Sequence, residues 1–176
     1  MLHTIENRRS YRGTYETTPV PRGDLVKILK AGLAAPSGCN KQTTSLIAVD
    51  DPQILDELHS LARLSRSHRA PAMICVLTRR IIAHDDRSYF VQDYAAAIQN
   101  MLLAITALGY HSCWYEGRIT GADRIGAQMA RVLHVPEEYE LVCFLPVGIA
   151  KDQPTQPKKM DFSQRAWFNG FQGESD

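Results

Sequence analysis

The sequence predicts a mixed β-sheet held between layers of helix, and three observations carry that expectation. Ala72–Leu77 is apolar at every position, the pattern of a strand covered on both faces. Residues 91–108 are Ala-rich and apolar almost all round, with Gly109 following, which fits a helix buried through the middle of the fold and ended by a glycine cap. Around these, short apolar segments alternate with segments of helical period, and alternation by itself leaves the direction of each strand open.

Taken in order, Leu2–Arg8 reads as a short helix, followed by a polar, basic, irregular stretch to Pro19. Pro21 stands where a first-turn proline is tolerated, and Leu25, Ile28, Leu29 and Gly32 share one helical face before Pro36, Ser37 and Gly38 stop the helix. Leu46–Val49 is short and partly β-branched, a strand. The next helix begins near Pro52, with Ile54, Leu55, Leu58 and Leu61 expected to face inward. Ser112–Tyr115 reads as a strand, Asp123–Leu133 as a helix with Ile125, Met129, Val132 and Leu133 inward, and Leu141–Val147 as another strand. Residues 148–159 carry Pro154 and Pro157 and no periodicity, so they are expected to run extended over a surface or another subunit.

A chain of 176 residues with 44% hydrophobic content suits one domain with a real core. With 20 Lys and Arg against 19 Asp and Glu, the formal charge of +1 gives no global field that would recruit nucleic acid or an acidic membrane. Any anion site must be local. The longest apolar run is broken by Gln99, Asn100 and Thr106, and the N-terminus has no signal-peptide pattern, so a cytoplasmic protein is expected. Cys39, Cys75, Cys113 and Cys143 are widely spaced, with no C-x-x-C pair, and read as reduced thiols rather than metal ligands. No G-x-G-x-x-G, P-loop, H-E-x-x-H or G-x-S-x-G motif is present. A chain without an encoded nucleophile or metal that still does chemistry borrows a cofactor.

Three segments could hold one. In the first, Arg8, Arg9, Ser10, Tyr11 and Arg12, alternate positions 8, 10 and 12 of an extended chain point the same way. Two guanidinium forks and a hydroxyl would then line one surface, suited to phosphate and carbonyl oxygens; alone, such a run near a terminus is usually a solvated face. In the second, Pro36, Ser37, Gly38, Cys39, Asn40, Lys41 and Gln42 follow a helix. Small residues would let backbone amides approach a ligand, and the Asn40 and Gln42 amides could hold a polar heteroaromatic ring; the bland alternative is a helix-stopping turn. The third is Glu116 and Gly117 after an apolar strand, which taken alone is a turn.

Together and in this order these segments resemble the nitroreductase family. Arg8, Ser10 and Arg12 match its R-x-S-x-[RK] opening, and Pro36, Ser37, Asn40 and Gln42 match its P-S-x-x-N-x-Q. Residues 93–114, with Gln99 and Asn100 and then Gly109, Ser112, Cys113 and Trp114, resemble its D-x-x-x-x-x-Q-N-(apolar)-G-x-x-S-C-W stretch. Glu116 and Gly117 fall at its flavin-facing E-G, and Pro157, Lys158 and Lys159 at its late basic motif. The likeness spans nearly the whole chain. Thr43 and Thr44 stand where many members have Pro-Trp, and only Thr78–Tyr89 is available for a lid.

The resemblance implies an α+β fold with a mixed sheet in three layers, as a single domain over residues 1–176 whose tail from about 149 packs on the surface or on a partner. It implies a homodimer with a non-covalent flavin mononucleotide (FMN) in each of two clefts. The implied activity is oxidation of NAD(P)H and reduction of a small acceptor, such as a nitroaromatic or a quinone, by a ping-pong mechanism. The alternative is an FMN-binding carrier or sensor without turnover. Carried onto this chain, Arg8 and Arg9 with Lys158 and Lys159 neutralise the phosphate. Ser10, Pro36 and Gln42 belong to the binding motifs, and Ser37, Gly38 and Asn40 reach the ring from the other subunit. Arg12 stabilises the reduced flavin, the Gly117 N–H faces N5, and Glu116 fixes that turn. No metal is implied.

Overall fold

The computed structural model describes residues 1–155 and 157–171. Its centre is β2 (Ala72–Thr78), buried at all seven positions because both of its faces are covered. It pairs antiparallel with β1 (Thr44–Val49) on one side and β3 (Glu140–Val147) on the other. The two faces of β2 meet different helices. Ala72, Ile74 and Val76 pack with Leu25 and Ile28 of α2 (Arg22–Leu33) and with Ile98, Met101 and Ile105 of α4 (Phe90–Ala107). Met73, Cys75 and Leu77 pack with Leu55 and Leu58 of α3 (Pro52–Leu61) and with Ile125 and Met129 of α5 (Ile125–Val132). This is the expected three-layer α+β arrangement.

The expected strand at Ser112–Tyr115 forms as isolated rungs rather than a continuous ladder. His111 pairs with Gly148 and Tyr115 with Phe144, both antiparallel, a register that sets Cys113 opposite Pro146. Proline has no N–H to donate, so the middle rung is lost. On its other side Ser112 bridges Ser10 in parallel; this is an isolated bridge, and the three-stranded sheet itself is antiparallel throughout rather than mixed as expected. The arginine segment is tied to the edge of the fold by that bridge.

Helix boundaries follow local chemistry. Asp51 caps α3 by accepting from the amides of Gln53 and Ile54. The buried face of α3 is Leu55, Leu58 and His59, with Ala62 just beyond, while Ile54 is exposed; the inward stripe is rotated by one residue from the sequence expectation. Helix α5 starts at Ile125 rather than Asp123 because Arg124 adopts a left-handed φ of 50°. Gly109, at φ 84°, ends α4 as expected. α1 (Leu2–Asn7) buries no residue. The tail runs from the Tyr15–Ala150 bridge to a short 3₁₀ turn at Phe162–Gln164, and the parts of its expected course at residues 156 and 172–176 lie outside the described residues. The four cysteines are unpaired. Among the described residues no helix is long and apolar enough to cross a membrane.

Candidate functional site

The arginine segment is held by its tyrosines. Tyr11 and Tyr15 are buried against Ala70, the Tyr11 amide donates to the Ser112 carbonyl at 2.8 Å, and the Lys151 amide donates to the Thr14 carbonyl at 2.9 Å. Burying positions 11 and 15 leaves Ser10 and Arg12 exposed. The Arg8 guanidinium donates to Ser10 Oγ at 3.5 Å. Burial pushes the Cys113 thiol up, opposed by Arg12, by hydrogen bonding with Ser10 and by Arg8. Arg8, Ser10 and Arg12 therefore all act on one buried thiol, next to the Ser10–Ser112 bridge. Arg9 turns the other way and donates to the carbonyls of Glu6 at 2.6 Å and Arg8 at 3.1 Å, where it satisfies the open carbonyls after α1.

Arg12 meets the third motif. With Glu116, Gly117, Trp114 and Phe144 it lines a cavity of about 310 Å³. Both oxygens of Glu116 are held, one by Tyr94 Oη and one by Trp114 Nε1, each at 2.8 Å. Burial, reinforced by the Glu116 bond, pushes the Tyr94 phenol well above its usual range, so it remains a donor. The Glu116 carbonyl accepts from the Ile119 amide at 2.7 Å and closes the turn. A Cβ at Gly117 would meet nothing within 4 Å. Crowding inside this chain therefore does not account for the glycine, whereas close approach of a ligand would.

The second motif is latched to α4 by Asp93, which accepts from the Gly38 amide at 2.7 Å and from Thr43 Oγ1 at 2.6 Å. Ser37 Oγ accepts from the Gln42 amide at 2.9 Å. Cys39, Asn40 and Gln42 all have positive φ. A Cβ at Gly38 would lie 2.6 Å from the Tyr89 ring. The Gly38 amide and its missing side chain thus serve the fold, and the amide is committed to Asp93 rather than open to a ligand. Pro36, Ser37 and Gln42 line their own cleft of about 310 Å³ with Thr44, whose buried Oγ1 has no partner. That cleft shares no residue with the Arg12 cavity, and the exposed Asn40 lines neither. Within one chain the loop and the arginines do not complete a single site. Lys158 and Lys159 are exposed on the tail, which leaves the core just after Asp152, the acceptor of the Tyr11 hydroxyl.

A sequence model of the nitroreductase family matches residues 5–66 and 56–149, which together span most of the chain. The chain belongs to the nitroreductase family. Its relatives in that family of oxidoreductases include an Archaeoglobus fulgidus protein, 31% identical over 86% of each chain, which carries the provisional name NADH dehydrogenase/NAD(P)H nitroreductase. Among solved structures, an FMN-dependent nitroreductase from Clostridium difficile R20291 superposes with a TM-score of 0.80 at 26% identity, over 97% of this chain and 100% of that one. A Bacteroides fragilis nitroreductase solved with bound FMN gives 0.74 at 27%, over 96% and 98%.

The residues of this nitroreductase family member fit an anionic, flat cofactor. Among the described residues neither Arg8 nor Arg12 has a carboxylate partner, so both cations are available to an anion. The cavity size falls within the roughly 300–1,000 Å³ usual for small-molecule sites. The sequence motifs assign no role to Asp93 or to Tyr94. These consecutive residues hold the Pro36–Gln42 loop and Glu116 respectively. The available signal was a carboxylate in the first turn of an apolar helix, with no basic residue three or four positions on.

Proposed function

We propose that this chain is an FMN-dependent oxidoreductase that takes hydride from NADH or NADPH and passes the electrons to a small oxidised acceptor by a ping-pong mechanism, as a homodimer with FMN at the subunit interface. The observation that carries the reading is the meeting of Arg12 with Glu116 and Gly117 around one cavity. When bound, FMN accepts a hydride from one substrate and returns the electron pair to another. Arg8 and Ser10 hold the phosphate, with Lys158 and Lys159 reaching from the tail, while Arg9 fixes the segment that carries them. Arg12 provides a fixed positive charge that favours the electron-rich form of the cofactor. The Gly117 N–H serves as a donor toward the ring, and Glu116, pinned by Tyr94 and Trp114, sets its direction. Trp114, Tyr115 and Phe144 exclude water. Pro36, Ser37, Asn40 and Gln42 lie away from this cavity in their own chain; in the proposed dimer they would complete the site of the partner, with Gly38 giving the loop its shape.

Steady-state oxidation of NADH and NADPH, measured against nitroaromatics and quinones, tests this. Parallel double-reciprocal lines are expected, because donor and acceptor take turns. A protein that binds FMN yet oxidises neither donor is a carrier or sensor instead.

A further inference from the structure

The cavity beside Glu116 is lined by three arginines, of which the proposed FMN site calls on one. Arg12, Arg63 and Arg118 all line it, and its one carboxylate, Glu116, has both oxygens engaged by Tyr94 and Trp114. Arg12 is taken up by the cofactor. The Arg118 guanidinium has neither ion pair nor hydrogen bond among the described residues. Arg63 is paired to Asp123 at 3.2 Å, but both side chains are more than half exposed, at 66% and 56%, so that pair is screened and weak. Trp114 and Tyr115, both partly exposed, line the same cavity, and the Tyr115 ring is held flat by stacking on the buried Phe144 at 4.9 Å with an interplanar angle of 2°. A flat ring beside one unpaired guanidinium, Arg118, and one weakly paired guanidinium, Arg63, accommodates an aromatic ring that bears an anionic substituent.

The geometry points to Arg118, supported by Arg63, as the specificity-determining cation of this cavity, favouring small aromatic acceptors that carry a carboxylate or similar oxyanion over neutral acceptors of the same shape. This rests on the oxidoreductase reading of the same cavity. For a nitroaromatic acid, NAD(P)H gives up a hydride and becomes NAD(P)⁺, and its two electrons reduce the nitro group to nitroso. One N–O bond breaks, and that oxygen leaves as water with the hydride's hydrogen and one proton from solvent. The carboxylate is unchanged and serves only for recognition.

The test compares 4-nitrobenzoate with its neutral analogue 4-nitrobenzamide on the flavin-loaded protein, by two readouts. Quenching of Trp114 fluorescence, in a Trp167→Phe background that leaves it as the sole tryptophan, gives a Kd for each compound, and NADH-driven reduction gives kcat/KM. An advantage of about tenfold for the benzoate is expected in both, shrinking as salt is raised from about 0.05 to about 0.5 M. Arg118→Gln should bring the ratio close to one, and Arg118→Glu should invert it. Equal Kd values for the two compounds, or a ratio that survives Arg118→Gln, overturns the assignment. So does a preference for NADPH over NADH that is lost in Arg118→Gln without any acceptor preference, which would give the cation to the donor's 2′-phosphate. If the benzoate binds preferentially through Arg118 but neither compound is reduced, the specificity of the site stands and the oxidoreductase reading fails.

Discussion

Arg8 and Arg12 lie on one segment but in different surroundings, which separates their expected roles. Arg8 is half-buried against Ser10, whereas Arg12 stands exposed at the cavity beside Glu116. Arg8→Ala should weaken FMN binding by about 1.5–3 kcal/mol, the worth of a charge-assisted contact, with turnover surviving at saturating FMN. Arg12→Ala should lower the flavin midpoint potential and slow hydride transfer, and lysine at position 12 should restore more than glutamine. FMN titration, potentiometry and stopped-flow reduction on each variant distinguish the two; unchanged potential and rate in Arg12→Ala would remove its proposed role. A second residue, His59, is buried with Nε2 unpartnered. Burial, with Arg69 adding to it, pushes His59 down to about 4 from 6.5. The unfolded chain therefore binds this proton first as pH falls from 6.5 toward 4, and stability is lost across that window by up to about 3 kcal/mol. Urea midpoints should fall over this range in the wild type and fall less in His59→Gln; identical pH profiles would show that His59 does not titrate as its burial requires. At this scale the arginine pattern was legible because alternation along an extended segment is a sequence property. The turning away of Arg9 was not, because it depends on where α1 ends.

At the scale of elements, α4 organises the site. Asp93 holds the Pro36–Gln42 loop, and Tyr94 holds Glu116. Asp93→Ala leaves the Gly38 amide and the buried Thr43 hydroxyl without their acceptor, at a cost of about 3 kcal/mol. Urea denaturation should show that loss, and hydrogen exchange at the Gly38 amide should accelerate; a variant of full stability with a protected amide would contradict the latch. Most elements were readable from period alone, since β2 is apolar throughout and α4 almost so. Two details were hidden. The break in the 112–115 strand comes from Pro146 on a distant segment that lies opposite it, and the one-residue rotation of α3 depends on what covers that helix. Both are properties of pairing and packing, which a local pattern does not contain.

At the scale of the whole molecule, the proposed dimer would cover apolar side chains that stand open in a single chain. Leu2 is 74% exposed, and Phe162, Phe168 and Phe171 are 70%, 76% and 78% exposed. With the loop cleft and the arginine cavity separate in one chain, FMN and dimer are expected to be linked, each tightening the other. Light scattering with and without FMN checks this; an active, flavin-loaded monomer at micromolar concentration would refute the shared cleft. Family membership was legible because five short motifs occur in order along the chain, whereas the proposed dimer depends on a second chain. The most direct measurement is an anaerobic titration of the FMN-loaded protein with NADH and NADPH, followed by its visible absorbance. Complete bleaching at about one donor per FMN, with colour restored on adding a nitroaromatic or quinone, is the expected result, and a yellow protein that neither donor bleaches would contradict the proposed function.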